Sequence, residues 1–401
     1  MKMKRGGMRM FMTGRWLAGA ALLGLAAAAQ AGDATAPKDG TIAYVVTTLH
    51  WATLQKDVKV QCPEGTNEGP REQFKVLFPD NGTHRTLVET QLRREIEGWY
   101  PTTAPDQFPF RTPAGNTALG MNLDGKVGPN DFTSPDGVTG VDNQLYRALG
   151  CINSYRTGVS ANDFFDNEEV AKEVYNRWIV VLTGVDSLVN DDNVQVTIVR
   201  GLDPILTDAT GKSFMPGGTQ RLDLRWGARY VQRYHGRIVN GVLTTDPADF
   251  FFPWATFNLP ADEYIRAARF SLKLTPEHAE GMIGGYADIE SWYLQTMKSE
   301  STHHQSYGQL SPPSLYKAFR RFADAYPDPK TGQNTAISSA LLATFEQVYL
   351  LPSSLAQLAA FVPHQKALPY AGVPYPRPAE EEIRVASGGA PAITPVASTT
   401  R

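Results

Sequence analysis

From Trp178 onward the chain alternates apolar and polar residues with a period of two, and that pattern admits little besides half-buried β-strands. Residues 178–184 (WIVVLTG) form one such run, and in the next Val194, Val196 and Ile198 fall on one side. Residues 237–245 (RIVNGVLTT) carry Asn240-Gly241, a dipeptide suited to the positive φ angles of a two-residue hairpin turn. Phe270, Leu272 and Leu274 again share a side. Upstream, Thr41 to Thr53 is rich in β-branched and aromatic residues and reads as the first core strand, while Ile337 to Leu350 reads as the last. Several strands punctuated by Gly and Asn predict a mainly β chain with some α, built on an antiparallel β-sandwich of the jelly-roll or lectin-like kind.

Two stretches carry helical spacing instead. Val88, Leu92, Ile96 and Trp99 follow Thr86 and Glu89 in capping-box positions. Between Pro313 and Tyr326, Leu315, Phe319, Phe322 and Tyr326 share a face opposite Lys317, Arg320 and Arg321, which predicts a C-terminal helix packed on the sandwich. Pro101 to Pro113 holds four prolines and reads as loop or linker. The expected organisation is a processed segment (1–31), an N-terminal helix-and-loop region (32–165), a β-sandwich domain (166–350) and a Pro/Ala-rich, partly disordered tail (351–401). No internal repeat is evident.

Lys2, Lys4, Arg5, Arg9 and Arg15 precede an apolar run from Trp16 to Ala28 and then Ala29-Gln30-Ala31, the pattern of a secretory signal peptide cleaved after Ala31. The alternative, an uncleaved anchor, has a run short of the roughly 20 apolar residues a bilayer wants. The chain is therefore expected in the periplasm or outside the cell, with no transmembrane segment after cleavage. In that compartment Cys62 and Cys151 are expected to form a disulfide, with two buried thiols as the alternative. A formal charge of −3 provides no basic field for nucleic acid or anionic lipid.

The stretch from Gly120 to Gly150 concentrates oxygen ligands: Asn122, Asp124, Asp131, Asp136, Asp142 and Asn143, broken by glycines. Part of it resembles the calcium loop of an EF-hand, in the shorter setting used by dockerin modules. With Asp124 at position five, Gly125 takes six, Lys126 (through its carbonyl) seven, Val127 eight, Asp131 twelve and Asn122 three. The loop departs from that pattern at position one, where Gly120 has no ligand, and at twelve, where aspartate has less reach than glutamate. Dockerins also carry two such loops where this chain has one. The resemblance implies a structural calcium ion, with Asp136 and Asp142 completing the shell from downstream. The competing reading is an acidic turn whose aspartates bond their own backbone, Asp142 capping a short helix that Gly150 stops.

Residues able to carry chemistry are sparse. His303 and His304 are adjacent, which suits metal binding or general-base work only in a loop, and loop hydrogen bonding is the plainer reading. Asp288 and Glu290 beside Trp292-Tyr293 suit acid/base chemistry on a sugar, although acids alternating with aromatics are also common in strands. The acidic clusters at 186–193 and at Asp324, Asp328 and Asn334 read as turns. No serine elbow, phosphate loop, haem-attachment or zinc pattern is present. The leading expectation is a non-enzymatic, calcium-stabilised binding or envelope protein for a small-molecule, glycan or protein ligand. The rival is a hydrolase of an extracellular polymer using His303 or His304 with Glu290 or Asp288. A transition-metal or redox role for the histidine pair is a weaker third.

Overall fold

A computed structural model describes residues 36–54, 57–67, 110–156, 176–224, 226–254, 262–293 and 312–361. The helix expected from Thr86, the pair His303 and His304, the N-terminal segment and the tail beyond Phe361 lie outside the described residues. In chain order the strands are β1 (Thr41–Trp51), β2 (Phe132–Thr133), β3 (Thr139–Val141), β4 (Trp178–Thr183), β5 (Asp191–Arg200), β6 (Gly218–Gln220) and β7 (Gln232–Val239). There follow β8 (Val242–Thr245), β9 (Ala248–Pro253), β10 (Asp262–Leu274), β11 (His278–Asp288), β12 (Ala325–Pro327) and β13 (Asn334–Leu350). The accompanying α-helices include α1 (Val58–Gln61), α2 (Gln144–Leu149), α3 (Pro312–Phe322) and α4 (Pro352–Ala360).

Eight strands, β1, β4, β5, β7, β8, β10, β11 and β13, pair in that order, each antiparallel to the next. β13 then returns to β1, from Ala43 opposite Val348 to Trp51 opposite Leu341, and closes the sheet. The fold is thus a closed up-and-down β-barrel, and the expected sandwich is corrected. Period-two alternation reports that one face of each strand is buried; whether the sheet packs on a second sheet or curls onto itself rests on a pairing between the first and last long strands, which no local pattern encodes. Bulges at Val46/Thr48 in β1 and at Arg266/Arg269 in β10 supply curvature.

The lumen is packed. The Trp178 ring on β4 meets Phe345 on β13 at 5.4 Å and Phe250 on β9 at 5.3 Å, although neither strand neighbours β4 in the sheet. Phe250 meets Phe270 on β10 at 5.3 Å, and Tyr234 on β7 meets Phe270 at 5.3 Å. These rings touch across the interior, each contributing about 1.5–3 kcal/mol on burial, so the barrel is a core and not a channel. Outside, residues 205–224 and α4 cover one side: Ala43, Val45, Ile179, Val181 and Val199 pack against Leu222, Leu224, Leu358 and Phe361. On β7 the outward residues are Arg233, His235 and Arg237, all exposed, the opposite of the apolar band a lipid-facing barrel presents. Among the described residues no helix is long and apolar enough to cross a membrane.

The two barrel ends differ. At one, short turns join the strands: Asn240-Gly241 has φ of 50° and 79°, as its hairpin requires, and the Tyr44 hydroxyl donates to the Thr275 carbonyl at 2.6 Å. From the other end residues 110–152 run as a strap onto the wall of β11 and β13. Gly284 admits it, since a Cβ there would stand 2.9 Å from the Met121 sulfur. Cys62 and Cys151 are bridged at the base of the strap. Buried Gln61 donates to the Tyr146 hydroxyl at 2.8 Å and accepts from Arg156 Nη1 at 2.8 Å. α2 begins one residue later than expected, capped by Asn143, whose side chain accepts from the Tyr146 N–H, and not by Asp142. α3 ends at Phe322, short of Tyr326, which lies in β12. The apolar spacing of residues 315–326 is a helix for its first part and an edge strand for its last.

Candidate functional site

Two backbone outliers sit on the outer wall, on either side of one arginine. Among the described residues four non-glycine positions have positive φ: Asp39, Asn240, Ala267 (49°) and Tyr326 (56°). Asp and Asn tolerate that conformation in turns; Ala and Tyr do not, and each costs about 1–3 kcal/mol. Ala267 is the bulged residue of β10, and its N–H donates to Asp249 Oδ1 at 3.1 Å. The other Asp249 oxygen accepts from the Tyr264 hydroxyl at 2.5 Å. The Tyr326 carbonyl accepts from Thr335 Oγ1 at 2.7 Å, and that hydroxyl oxygen in turn accepts from Arg266 Nη1 at 3.3 Å.

Arg266 lies between the outliers. Its guanidinium stands 4.9 Å from the centre of the Tyr326 ring and 5.8 Å from that of Tyr264. Nη2 donates to Asp288 Oδ2, while Asp288 Oδ1 accepts the Ser291 N–H at 2.9 Å. Tyr286, the cross-strand partner of Arg266, meets Tyr326 edge-on with centroids 5.6 Å apart. These side chains point outward because their neighbours Ile265 and Ala287 fill the lumen, both fully buried. Tyr264 and Tyr286 are half-buried and Tyr326 is 39% exposed. Burial, and then the nearby aspartates, push the Tyr264 and Tyr286 phenols well above the ordinary tyrosine range, so all three rings are neutral at any physiological pH.

The strap brings the acidic stretch to this patch. Arg269 Nη1 donates to the Asn122 carbonyl at 3.2 Å. Asp142, Asp324 and Asp124 lie close enough to Tyr286 to act on its phenol. Asp142 is itself pushed up, chiefly by burial and then by Asp131 and Asp124. Asp324 is pushed up to about 6 by burial, against the opposing bonds from Ser338. Although Asp324 is exposed as a residue, its carboxylate turns inward and accepts both the Ser338 N–H (2.7 Å) and the Ser338 hydroxyl (2.6 Å). The same hydroxyl oxygen accepts the Gln144 N–H from the strap at 2.9 Å.

Within the loop the prospective calcium donors are turned to the chain's own groups. Asn122 Nδ2 donates to the Lys126 carbonyl at 2.7 Å and Asn122 Oδ1 accepts the Gly125 N–H at 2.6 Å. Asp124 accepts the Lys126 N–H at 2.8 Å, Asp131 accepts the Gly128 N–H at 2.5 Å, and Asp142 Oδ2 accepts the Leu123 N–H at 2.6 Å. Asp136 stands apart in the β2–β3 turn, where it accepts the Ser134 hydroxyl. Calcium takes about six to eight oxygens; as folded, Asp124, Asp131 and Asp142 each keep a single carboxylate oxygen outside these bonds. Among the described residues no three Asp, Glu, His or Cys side chains converge as a metal-holding group.

Asp288 and Glu290 are held by different partners. Asp288 is buried and bound to Arg266, whereas Glu290 accepts the Tyr316 hydroxyl of α3. Sequence reasoning passed over Asp249, Tyr264, Arg266 and Tyr286, and placed Tyr326 on a helix face and not in the edge strand it occupies. One signal was present: Arg-Ala-Ala-Arg at 266–269 interrupts the alternation of the strand that ends in Phe270, Leu272 and Leu274, and a broken period marks a bulge. Comparison with family models, with curated proteins and with solved structures found no match in any of the three.

Proposed function

We propose that this is an exported binding protein, not an enzyme, that takes its ligand on the outer wall of the barrel around Tyr264, Arg266, Tyr286 and Tyr326. The observation that carries the reading is the pair of strained residues, Ala267 and Tyr326, flanking Arg266. A barrel gains nothing in stability from an alanine and a tyrosine at positive φ, and strain of this kind gathers where side-chain placement serves recognition. The filled lumen supports an external site. The fixed partners of Asp288 and Glu290 support binding over acid/base chemistry. Export is supported by the Cys62–Cys151 bridge and by the basic-then-apolar pattern of residues 1–31. Calcium joins the reading as a weakly held stabilising ion drawn to Asp124, Asp131 and Asp142, whose mutual repulsion a divalent cation relieves.

The test is a ligand screen by thermal shift on the mature protein, since anything that binds the folded state raises its melting temperature. Hits are expected to lose their effect in the Tyr326→Asn variant and to be recovered chemically unchanged. Conversion of a hit by the wild type, abolished in Glu290→Gln, would establish the hydrolase instead.

A further inference from the structure

We infer that the ligand of the Tyr264–Arg266–Tyr286–Tyr326 patch is a neutral saccharide; the inference rests on the binding reading above and adds the chemical class. The charges decide it first. Asp124, Asp142, Asp249, Asp288 and Asp324 act on the patch, against the guanidiniums of Arg266 and Arg269 and the Lys126 ammonium, 3.8 Å from Asp124. An anionic ligand meets net repulsion there. A cationic ligand fares little better, because the cation position between the tyrosine rings is already filled: the Arg266 guanidinium sits over Tyr326 and Tyr264. The carboxylates are matched internally as well. Asp288 is bonded to Arg266 and the Ser291 N–H, Asp249 to the Tyr264 hydroxyl and the Ala267 N–H, and Asp324 to Ser338 twice.

What remains for a ligand is uncharged chemistry. Tyr326 is bonded by Thr335 at its carbonyl and met at its ring by Arg266 and, in a T-shaped contact, by Tyr286, yet is 39% exposed. A fixed, half-open aromatic ring is a stacking platform for the C–H face of a pyranose. Near it the exposed carboxylate of Asp249, each oxygen of which accepts one bond from the chain, keeps further lone pairs for sugar hydroxyls as donors. The platform is pre-ordered, so little side-chain entropy is lost when a sugar stacks.

The experiment is isothermal titration of the full mature protein with three neutral hexasaccharides, maltohexaose, cellohexaose and chitohexaose, alongside heparin and hexalysine. Tyr326→Asn removes the ring while keeping a residue that tolerates positive φ, and circular dichroism confirms that it folds. The expected result is binding of at least one neutral hexasaccharide, weakened tenfold or more in Tyr326→Asn, with no Tyr326-dependent binding of heparin or hexalysine. Tyr326-dependent binding of heparin or hexalysine without any saccharide overturns the ligand class and leaves the site in place. Saccharide binding equal in wild type and Tyr326→Asn overturns the assignment of the sugar to this patch. Binding of none of the five overturns the saccharide inference alone, because the thermal-shift screen decides separately whether the patch binds anything.

Discussion

Arg266 on β10 is hydrogen-bonded to Asp288 on β11, and the two side chains are only 17% and 3% exposed. Removing one partner of such a pair leaves an uncompensated buried charge, at about 3–5 kcal/mol. Here Asp288 keeps the Ser291 N–H, so the lower end of that range is expected for Arg266→Ala. Arg266→Met with Asp288→Asn removes both charges and should recover much of the loss. Urea unfolding of the two variants checks this; equal stability of Arg266→Ala and wild type would mean that the pair holds nothing.

The bridge between Cys62 and Cys151 spans 89 residues of sequence and fixes the base of the strap. The chain-entropy account gives about 4–5 kcal/mol for a loop of that size. Cys62→Ser with Cys151→Ser should lower the urea midpoint accordingly. Asn67, whose N–H donates to the Cys151 carbonyl at 2.6 Å, should lose amide protection in the same variant. Unchanged stability would show that the buried bonds of Gln61 hold the strap unaided.

These relationships were unequally legible in the sequence. The strands were readable wherever one face meets the lumen, because a filled interior forces alternation on every stave; Trp178, Val196 and Phe270 announce themselves in that way. The disulfide was readable from its two cysteines alone. Barrel closure was not, since Ala43 and Val348 meet through a register no local pattern records. The patch was hidden for a related reason: Tyr264 and Tyr286 are ordinary strand residues, and Tyr326 carries the spacing of a helix face, until closure and the Ala267 bulge bring them around one arginine. Asp324 looked like a turn because its role depends on Ser338, fourteen residues away on β13.

Asp324 makes stability depend on pH in an unusual sense. Its carboxyl is pushed from the model-compound value of 3.8 to about 6, chiefly by burial. The folded state therefore holds a proton that the unfolded chain gives up between those values. That contribution is fully present below about pH 3.8 and is lost as pH rises through about 6. Asp142, raised by burial and its acidic neighbours, acts in the same direction. Melting temperature should thus fall as pH rises from about 3.8 to about 6. Asp324→Asn should flatten the profile across this window, since the amide cannot titrate. A wild-type melting temperature that rises across it, or an identical slope in Asp324→Asn, would remove Asp324 from the account.

The calcium reading makes the sharpest demand on the strap. Because Asn122 and the Lys126 carbonyl are bonded to each other, an ion gains either of them only by displacing that bond, and otherwise has one oxygen each from Asp124, Asp131 and Asp142. Affinity should fall in the weak range of extracellular modules, with dissociation constants of about 10⁻⁴–10⁻³ M. Calcium at ten times its dissociation constant then adds about 1.4 kcal/mol. The melting temperature should rise in millimolar calcium and return with chelator. Asp124→Ala should abolish that rise, while in chelator it loses no more than the exposed bond to the Lys126 N–H, about 0.5–1.5 kcal/mol. No rise in the wild type, or an equal deficit for Asp124→Ala with and without calcium, would leave the loop as a turn that satisfies its own carboxylates. In that case the raised Asp142 and Asp324 carboxyls are relieved by protons, and the pH profile alone accounts for the acidic cluster.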